Sequence, residues 1–270
     1  MNKNPLVPFW ISLALLTGAC QSLSGPGADD SGQRVLDVIT SGGFAAAYDA
    51  LAPQFEAQTG IRLVTSYGAS SGGAPDSIPA RLERGEEFDV IIMSRSSLDN
   101  LANQGRIRPD SRKDLVRSLI GMAVREGAPV PDISTPEAFI KTLRDAGSIG
   151  YSASVSGTYI STDLLPRLGL WDELAAKSRR IESERVAAVV ARGDVEIGFQ
   201  QVSEIVSVAG ATFAGPIPTE FQRVSSFSAG ITARTRNAAD AQRLIDFLSS
   251  AEVADTIAAT GLDPVVLERR

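Results

Sequence analysis

Histidine is absent from the 270 residues, and cysteine occurs once, at Cys20. The first absence removes the commonest general base and a leading metal ligand. The second rules out an internal disulfide and a Cys/His metal cluster. There is no P-loop and no G-x-G-x-x-G run, so neither phosphate-cradling motif is available. Basic residues are in the minority, with 26 Lys and Arg against 32 Asp and Glu and a formal net charge of −6. An acidic chain without a basic run is a poor partner for nucleic acid. These gaps point away from an enzyme, a metal and a cofactor, and towards a binding protein.

What the N-terminus does contain is an export pattern. Lys3 precedes an apolar stretch from Leu6 to Leu16, and the small residues Thr17, Gly18 and Ala19 follow. That is the order of a secretory signal, expected over residues 1–19. The stretch is shorter than the roughly 20 apolar residues of a membrane span. Cys20 closes it, and Leu16-Thr17-Gly18-Ala19-Cys20 resembles the lipobox of bacterial lipoproteins, in which the cysteine is acylated. Residues 20–32, rich in Ser, Gly and Asp, read as a flexible tether from that lipid. The expected location is the periplasm or cell envelope, with the membrane reached through the lipid anchor.

Strand and helix patterns alternate along the rest of the chain, which predicts an α/β fold with largely parallel sheets. Val35–Thr40 reads as a strand, and Phe44, Tyr48, Leu51 and Phe55 then recur at helical spacing up to Gly60. Pro53 inside that pattern predicts a kink. Phe88–Met93 is almost continuously apolar, as a buried parallel strand is. Thr135-Pro136-Glu137 has the chemistry of a helix start, and Ser183 is expected to cap a helix over Glu184–Arg192.

Three strand-to-helix turns are rich in Ser and Gly: Ser41-Gly42-Gly43, Ser70-Ser71-Gly72 and Ser156-Gly157. A helix start presents unpaired N–H groups and partial positive charge, so such turns suit a small anion. Capping of the helix is the competing use of each serine. Gly68-Ala69-Ser70-Ser71-Gly72 also fits G-x-S-x-G, the nucleophile turn of serine esterases. That chemistry asks for a histidine, and the chain has none.

Several runs then bring a family into view. They are Ser66-Tyr67-Gly68-Ala69-Ser70-Ser71-Gly72, Phe88-Asp89-Val90, Val190-Ala191-Arg192-Gly193-Asp194 with Ile197-Gly198, and Gly261-Leu262 with Pro264. In order and spacing the chain resembles the periplasmic molybdate-binding proteins, a branch of the type II solute-binding proteins. Gly198-Phe199-Gln200-Gln201 resembles a divergent branch of extracellular substrate-binding proteins. The resemblance implies two α/β lobes, each a mixed sheet flanked by helices, with the ligand cleft between them. Lobe one is expected from residues 33–117 plus 228–270, and lobe two from 118–227. It also implies a monomer that hands its ligand to an inner-membrane ABC permease; an orphan binder that signals to a membrane partner is the alternative.

Carried over by position, the resemblance puts ligand contacts at Gly43, Ser70, Ser156, Ser183 and Gln201, with Ser41, Gly42, Ser71, Gly157 and Gln200 beside them. Gly43 stands where the family has a hydroxyl, Gln201 where it has a tyrosine, and Arg95 where it has an acid. Gln201 brings an acceptor as well as a donor, Gly43 makes room, and Arg95 is placed to hold a carboxylate bidentately. The expected ligand is therefore an organic carboxylate in preference to a molybdate-like oxyanion.

Overall fold

The computed structural model describes Met1 and residues 32–265. The expected signal, Cys20 and the tether up to residue 31 lie outside the described residues. Two sheets organise the chain. The first has the order β11-β4-β10-β3-β1-β2 and the second β7-β6-β8-β5-β9. The strands of the first are β1 (Val35–Ser41), β2 (Arg62–Gly68), β3 (Val90–Ser94), β4 (Lys113–Ser118), β10 (Ser225–Ile231) and β11 (Asp263–Pro264). The second holds β5 (Ile120–Arg125), β6 (Ile149–Ser152), β7 (Ser178–Ile181), β8 (Ile197–Gln201) and β9 (Ala211–Pro216).

The helices are α1 (Gly42–Thr59), α2 (Ile78–Glu83), α3 (Arg95–Asn103), α4 (Pro136–Asp145), α5 (Val155–Tyr159), α6 (Leu165–Arg167), α7 (Trp171–Leu174), α8 (Val186–Arg192), α9 (Val202–Val206), α10 (Ala238–Leu248) and α11 (Ala254–Ala258). Among the described residues no helix is long and apolar enough to cross a membrane.

Each sheet is mixed. β1 runs parallel to β2 and β3, and β6 runs parallel to β7 and β8. The antiparallel pairings are β10 against β3 and β4, β11 against β4, and β5 against β8 and β9. Strand alternation feeds a core on both faces of each sheet. Val38, Val90 and Ile92 pack under α1 and α10, while Ile39, Ile91 and Met93 face Leu98 and Leu101 of α3. In the second sheet Ile120, Met122 and Val124 meet Phe139 and Leu143, and Ala123 turns to Val186 and Val190.

The chain crosses between sheets twice. Only Leu119 separates β4 from β5, and residues 217–224 lead back to β10. Gln222 clips the two crossings together: it accepts from Ile120 N at 2.9 Å and donates to Ile120 O at 3.0 Å. β10 begins at Ser225, so the return to the first sheet comes three residues before the expected boundary at 228.

α1 follows its apolar spacing, with Phe44, Tyr48, Leu51 and Phe55 all buried. Pro53 does not end it. The ring lies on the solvent face, where the carbonyl it deprives of a partner can be hydrated. Gly60 closes the helix in the left-handed region, at φ 68°. Two expected starts move. α8 begins at Val186 with Arg185 in the capping position, so Ser183 is not its cap. α3 and β4, which the sequence did not announce, fill the stretch after β3.

Candidate ligand-binding site

The C-terminal ends of the parallel strands of both sheets face one another, the usual place for a ligand in α/β proteins. Between them lies a cleft of about 230 Å³. That is smaller than the roughly 300–1,000 Å³ of pockets for drug-sized ligands, and suits a small solute.

On the first lobe, the β1–α1 turn brings Ser41, Gly42 and Gly43 to the wall. Ser41 holds the capping position of an 18-residue helix in extended geometry, φ −84° and ψ 157°, yet its side chain caps nothing. Its Oγ is buried without a partner, beside the unpaired N–H groups of the helix start. Gly43 is bare for another reason than the one expected. A Cβ there would collide with the Phe227 ring, so the space serves packing and gives no room to a ligand. Ser70 Oγ accepts from Ser94 N at 2.9 Å, which leaves its hydroxyl proton free for the cleft; Ser71 lies beside it. Tyr67 also lines the wall, but its hydroxyl donates to Asp49 at 2.5 Å, and burial and that partner push it up to about 12.

The second lobe offers Ser156, whose hydroxyl pairs with that of Ser152 at 3.1 Å. Gly157 stands behind the wall. Its N–H donates to Ser152 Oγ at 3.3 Å, and a Cβ on it would run into the Ser152 backbone, so its role is in the turn. Ser183 reaches the cleft but bonds across it, donating to Asp76 Oδ1 at 2.8 Å. Ser203 also crosses, donating to Gly43 O at 2.8 Å. The lobes are thus in contact around a closed cleft.

Gln200 and Gln201 end β8 and are both 3 % exposed. Gln201 Nε2 donates to Ser225 Oγ at 3.0 Å, and Oε1 is buried without a partner. Turning the amide over would keep Ser225, because a hydroxyl both donates and accepts. Gln201 therefore offers the cleft an acceptor or a donor. Gln200 accepts from Ala187 N at 3.3 Å.

Arg95 is not in the cleft. It starts α3 on the outer surface of the first lobe, 2.9 Å from Asp114 and 3.9 Å from Asp99, with its side chain 46 % exposed. The guanidinium that does line the cleft is Arg185 of the second lobe, which donates to Ser207 Oγ at 3.1 Å. Glu204, third residue of α9, also lines it. Burial pushes the Glu204 carboxyl up to about 7, against the opposing pull of Arg185, the Gln201 N–H and the Gln200 amide. Neither residue belongs to a Ser/Gly turn. The only trace each left in sequence was its place near a helix start, with Glu204 three residues after Gln201 as in a capping box.

Ser70 lacks the surroundings of an esterase nucleophile. No lysine is among the cleft residues, and α2 begins only at Ile78, so the G-x-S-x-G run is a loop and not a tight strand-to-helix elbow. Among the described residues no group of three or more His, Cys, Asp or Glu could hold a metal.

Comparison with known proteins agrees with this geometry. The model of the family described as "Bacterial extracellular solute-binding protein" matches residues 36–263. An aconitate isomerase of Pseudomonas sp is 43 % identical over 230 residues, 85 % of this chain and 88 % of its own. The molybdate-binding protein ModA of Escherichia coli (strain K12) is 22 % identical over 248 residues, 90 % of this chain and 94 % of its own. The solved periplasmic molybdate-binding protein of Azotobacter vinelandii superposes with a TM-score of 0.66 at 24 % identity, covering 87 % of this chain and 100 % of that one.

Proposed function

The chain belongs to the bacterial extracellular solute-binding protein family, and on that footing we propose that its cleft takes a small organic polycarboxylate of the aconitate type. The observation that carries this reading is Arg185 on the cleft wall. A guanidinium is a planar fork that matches a carboxylate with two parallel hydrogen bonds. The unpartnered Ser41 hydroxyl and the free proton of Ser70 add donors on the opposite lobe. The 43 % relative, named for a tricarboxylate, supports the same class over the oxyanion named by the 22 % relative.

We further read the chain as an exported monomer, anchored through Cys20, that serves an inner-membrane ABC permease. The ligand reading is tested by calorimetry and thermal shift with trans-aconitate, cis-aconitate, citrate and molybdate. A tricarboxylate at about 100 times its Kd should add about 2.7 kcal/mol of stability. Tight molybdate binding with no heat from any carboxylate overturns it.

A second reading is favoured by Glu204. Its carboxyl lines the cleft and meets the bare start of α1 at Gly42, and burial raises its pKa, a combination that suits proton transfer better than capture of an anion. On this reading the protein converts its ligand, as the name of the 43 % relative states for that protein.

A further inference from the structure

We propose that Glu204 is the proton-carrying catalytic residue of this cleft, taking a proton from one carbon of a bound unsaturated tricarboxylate and returning it to another. This rests on the polycarboxylate reading and deepens it.

The placement comes first. Glu204 belongs to the second lobe, and its carboxyl meets the first lobe at Gly42, where a Cβ would collide with Oε1. The start of α1 is thus stripped to backbone where the carboxyl approaches. The other cleft carboxylates are engaged elsewhere. Asp76 accepts from Ser183, Glu182 lies 3.4 Å from Arg180, and Glu184 lies 3.0 Å from Arg192. Around the Glu204 carboxyl, the Arg185 charge, the Gln201 backbone N–H and the Gln200 side chain all favour the ionised form against its burial. No ion pair or hydrogen bond among the described residues engages its oxygens, so their lone pairs are left for a substrate.

The chemistry narrows the choice to the same group. The chain has no histidine, and its one thiol, Cys20, lies outside the described residues. The Tyr67 hydroxyl is committed to Asp49 and titrates far above neutrality. The cleft serines are too weakly acidic to cycle a proton alone. A base is most effective when it titrates near the working pH, and Glu204 does so at about 7.

The step balances within the pair. Aconitate carries a methylene next to one carboxylate and a carbon–carbon double bond next to it. The Glu204 carboxylate takes a methylene proton. The C–H electron pair becomes a new double bond to the central carbon. The old double-bond pair moves to the former vinyl carbon and into its carboxylate. Protonated Glu204 then returns its proton to that carbon. The double bond has shifted by one carbon, no atom or electron is gained or lost, and the conformation held in the cleft sets the geometry of the new double bond. Arg185 and the N–H groups at the start of α1 stand ready for the charge that builds on the carboxylates.

The test uses the mature chain with trans-aconitate, followed by proton NMR in D₂O, with binding measured in parallel. The wild type should form cis-aconitate and carry deuterium into the carbon-bound positions. E204Q should lose about 10²–10⁴-fold of that rate, the usual worth of a general base, and bind at least as tightly because a like charge is gone. The wild-type pH profile of kcat/KM should rise through about 7, which checks the assignment without any variant. Binding of trans-aconitate with neither conversion nor deuterium exchange overturns the proposal and leaves the polycarboxylate reading standing. So does E204Q turning over like the wild type. Absence of binding to any tricarboxylate sinks both.

Discussion

Ser183 of the second lobe donates to Asp76 of the first at 2.8 Å, tying one rim of the cleft to the other. The bond forms only when the lobes are closed, so it biases the closed population. A hydrogen bond to a charged group is worth about 1.5–3 kcal/mol, less at an exposed rim. Asp76→Ala and Ser183→Ala should each weaken ligand binding by roughly fivefold, the equivalent of ~1 kcal/mol. The loss should appear in the off-rate, since the contact is made after encounter. Unchanged dissociation in stopped-flow measurements would show that the latch plays no part.

Gly43 and Phe227 are coupled by sterics. Gly43→Ala has to displace a ring that is buried under α1, and overpacking of this kind costs about 1–3 kcal/mol. Adding Phe227→Leu should recover most of the loss, and a double-mutant cycle in urea measures the coupling. Additive effects would mean that the ring is free to move aside.

Two arginines separate the cleft from its surroundings. Arg185→Ala should lose about 1.5–3 kcal/mol of carboxylate binding, whereas Arg95→Ala, paired with Asp114 on the outer face, should leave the affinity alone. Calorimetry on both variants decides it, and the reverse result would return Arg95 to the site.

How much of this could be read from the chain differs between fold and site. β1, α1 and β3 announced themselves because burial on one or both faces wrote a period into the sequence. Thr135 capping α4 and Gly193 ending α8 were visible as local backbone chemistry. β4 carries Lys113, Asp114 and Arg117 and has no such period, so it passed unnoticed. The Ser/Gly turn at Ser41 was legible because a helix start needs small, donating residues, whereas Ser70 lies in a loop before α2 and Ser156 inside the first turn of the short α5. Arg185 and Glu204 were not. A charged residue near a helix start resembles any solvated one, and only the tertiary fold shows which charge faces inward. Arg95 is the mirror case, a charge close to the cleft in sequence that the fold turns outward.

Cys20, outside the described residues, is expected to be the mature N-terminus and to carry lipid. One acyl chain anchors weakly, at about 0.8 kcal/mol per buried methylene, so firm attachment needs more than one. Fractionation of wild type and Cys20→Ser should find the first with membranes and the second free. Equal release of both would remove the anchor.

Glu204 also makes stability depend on pH in an unusual direction. Its ordinary value is 4.5 and burial raises it to about 7 in the folded protein. Between those values the folded state binds more protons than the unfolded one, so stability falls as pH rises. The contribution is complete below about 4.5 and is lost by about 7. At about 1.4 kcal/mol per pK unit the span has a ceiling of ~3.5 kcal/mol, and because Glu204 is only half-buried on the cleft wall, solvent screening makes the realised share smaller. Asp37, raised by burial and by the charge of Asp89, adds a slope of the same sign. The charges around Glu204 are Arg185 beside it and Tyr67, Asp76, Glu182 and Glu184 along the cleft. Of these only Arg185 is cationic, and it opposes the shift without cancelling it. The ligand-free wild type should therefore lose several degrees of Tm between pH 5 and pH 8, by the usual ~2–4 °C per kcal/mol for a domain of this size. E204Q should show a flatter profile and a higher Tm at pH 8, because a neutral amide has no charge to desolvate. Parallel profiles for the two proteins would mean that Glu204 is hydrated in the free cleft. Its neutral-range titration would then have to be sought in the ligand complex.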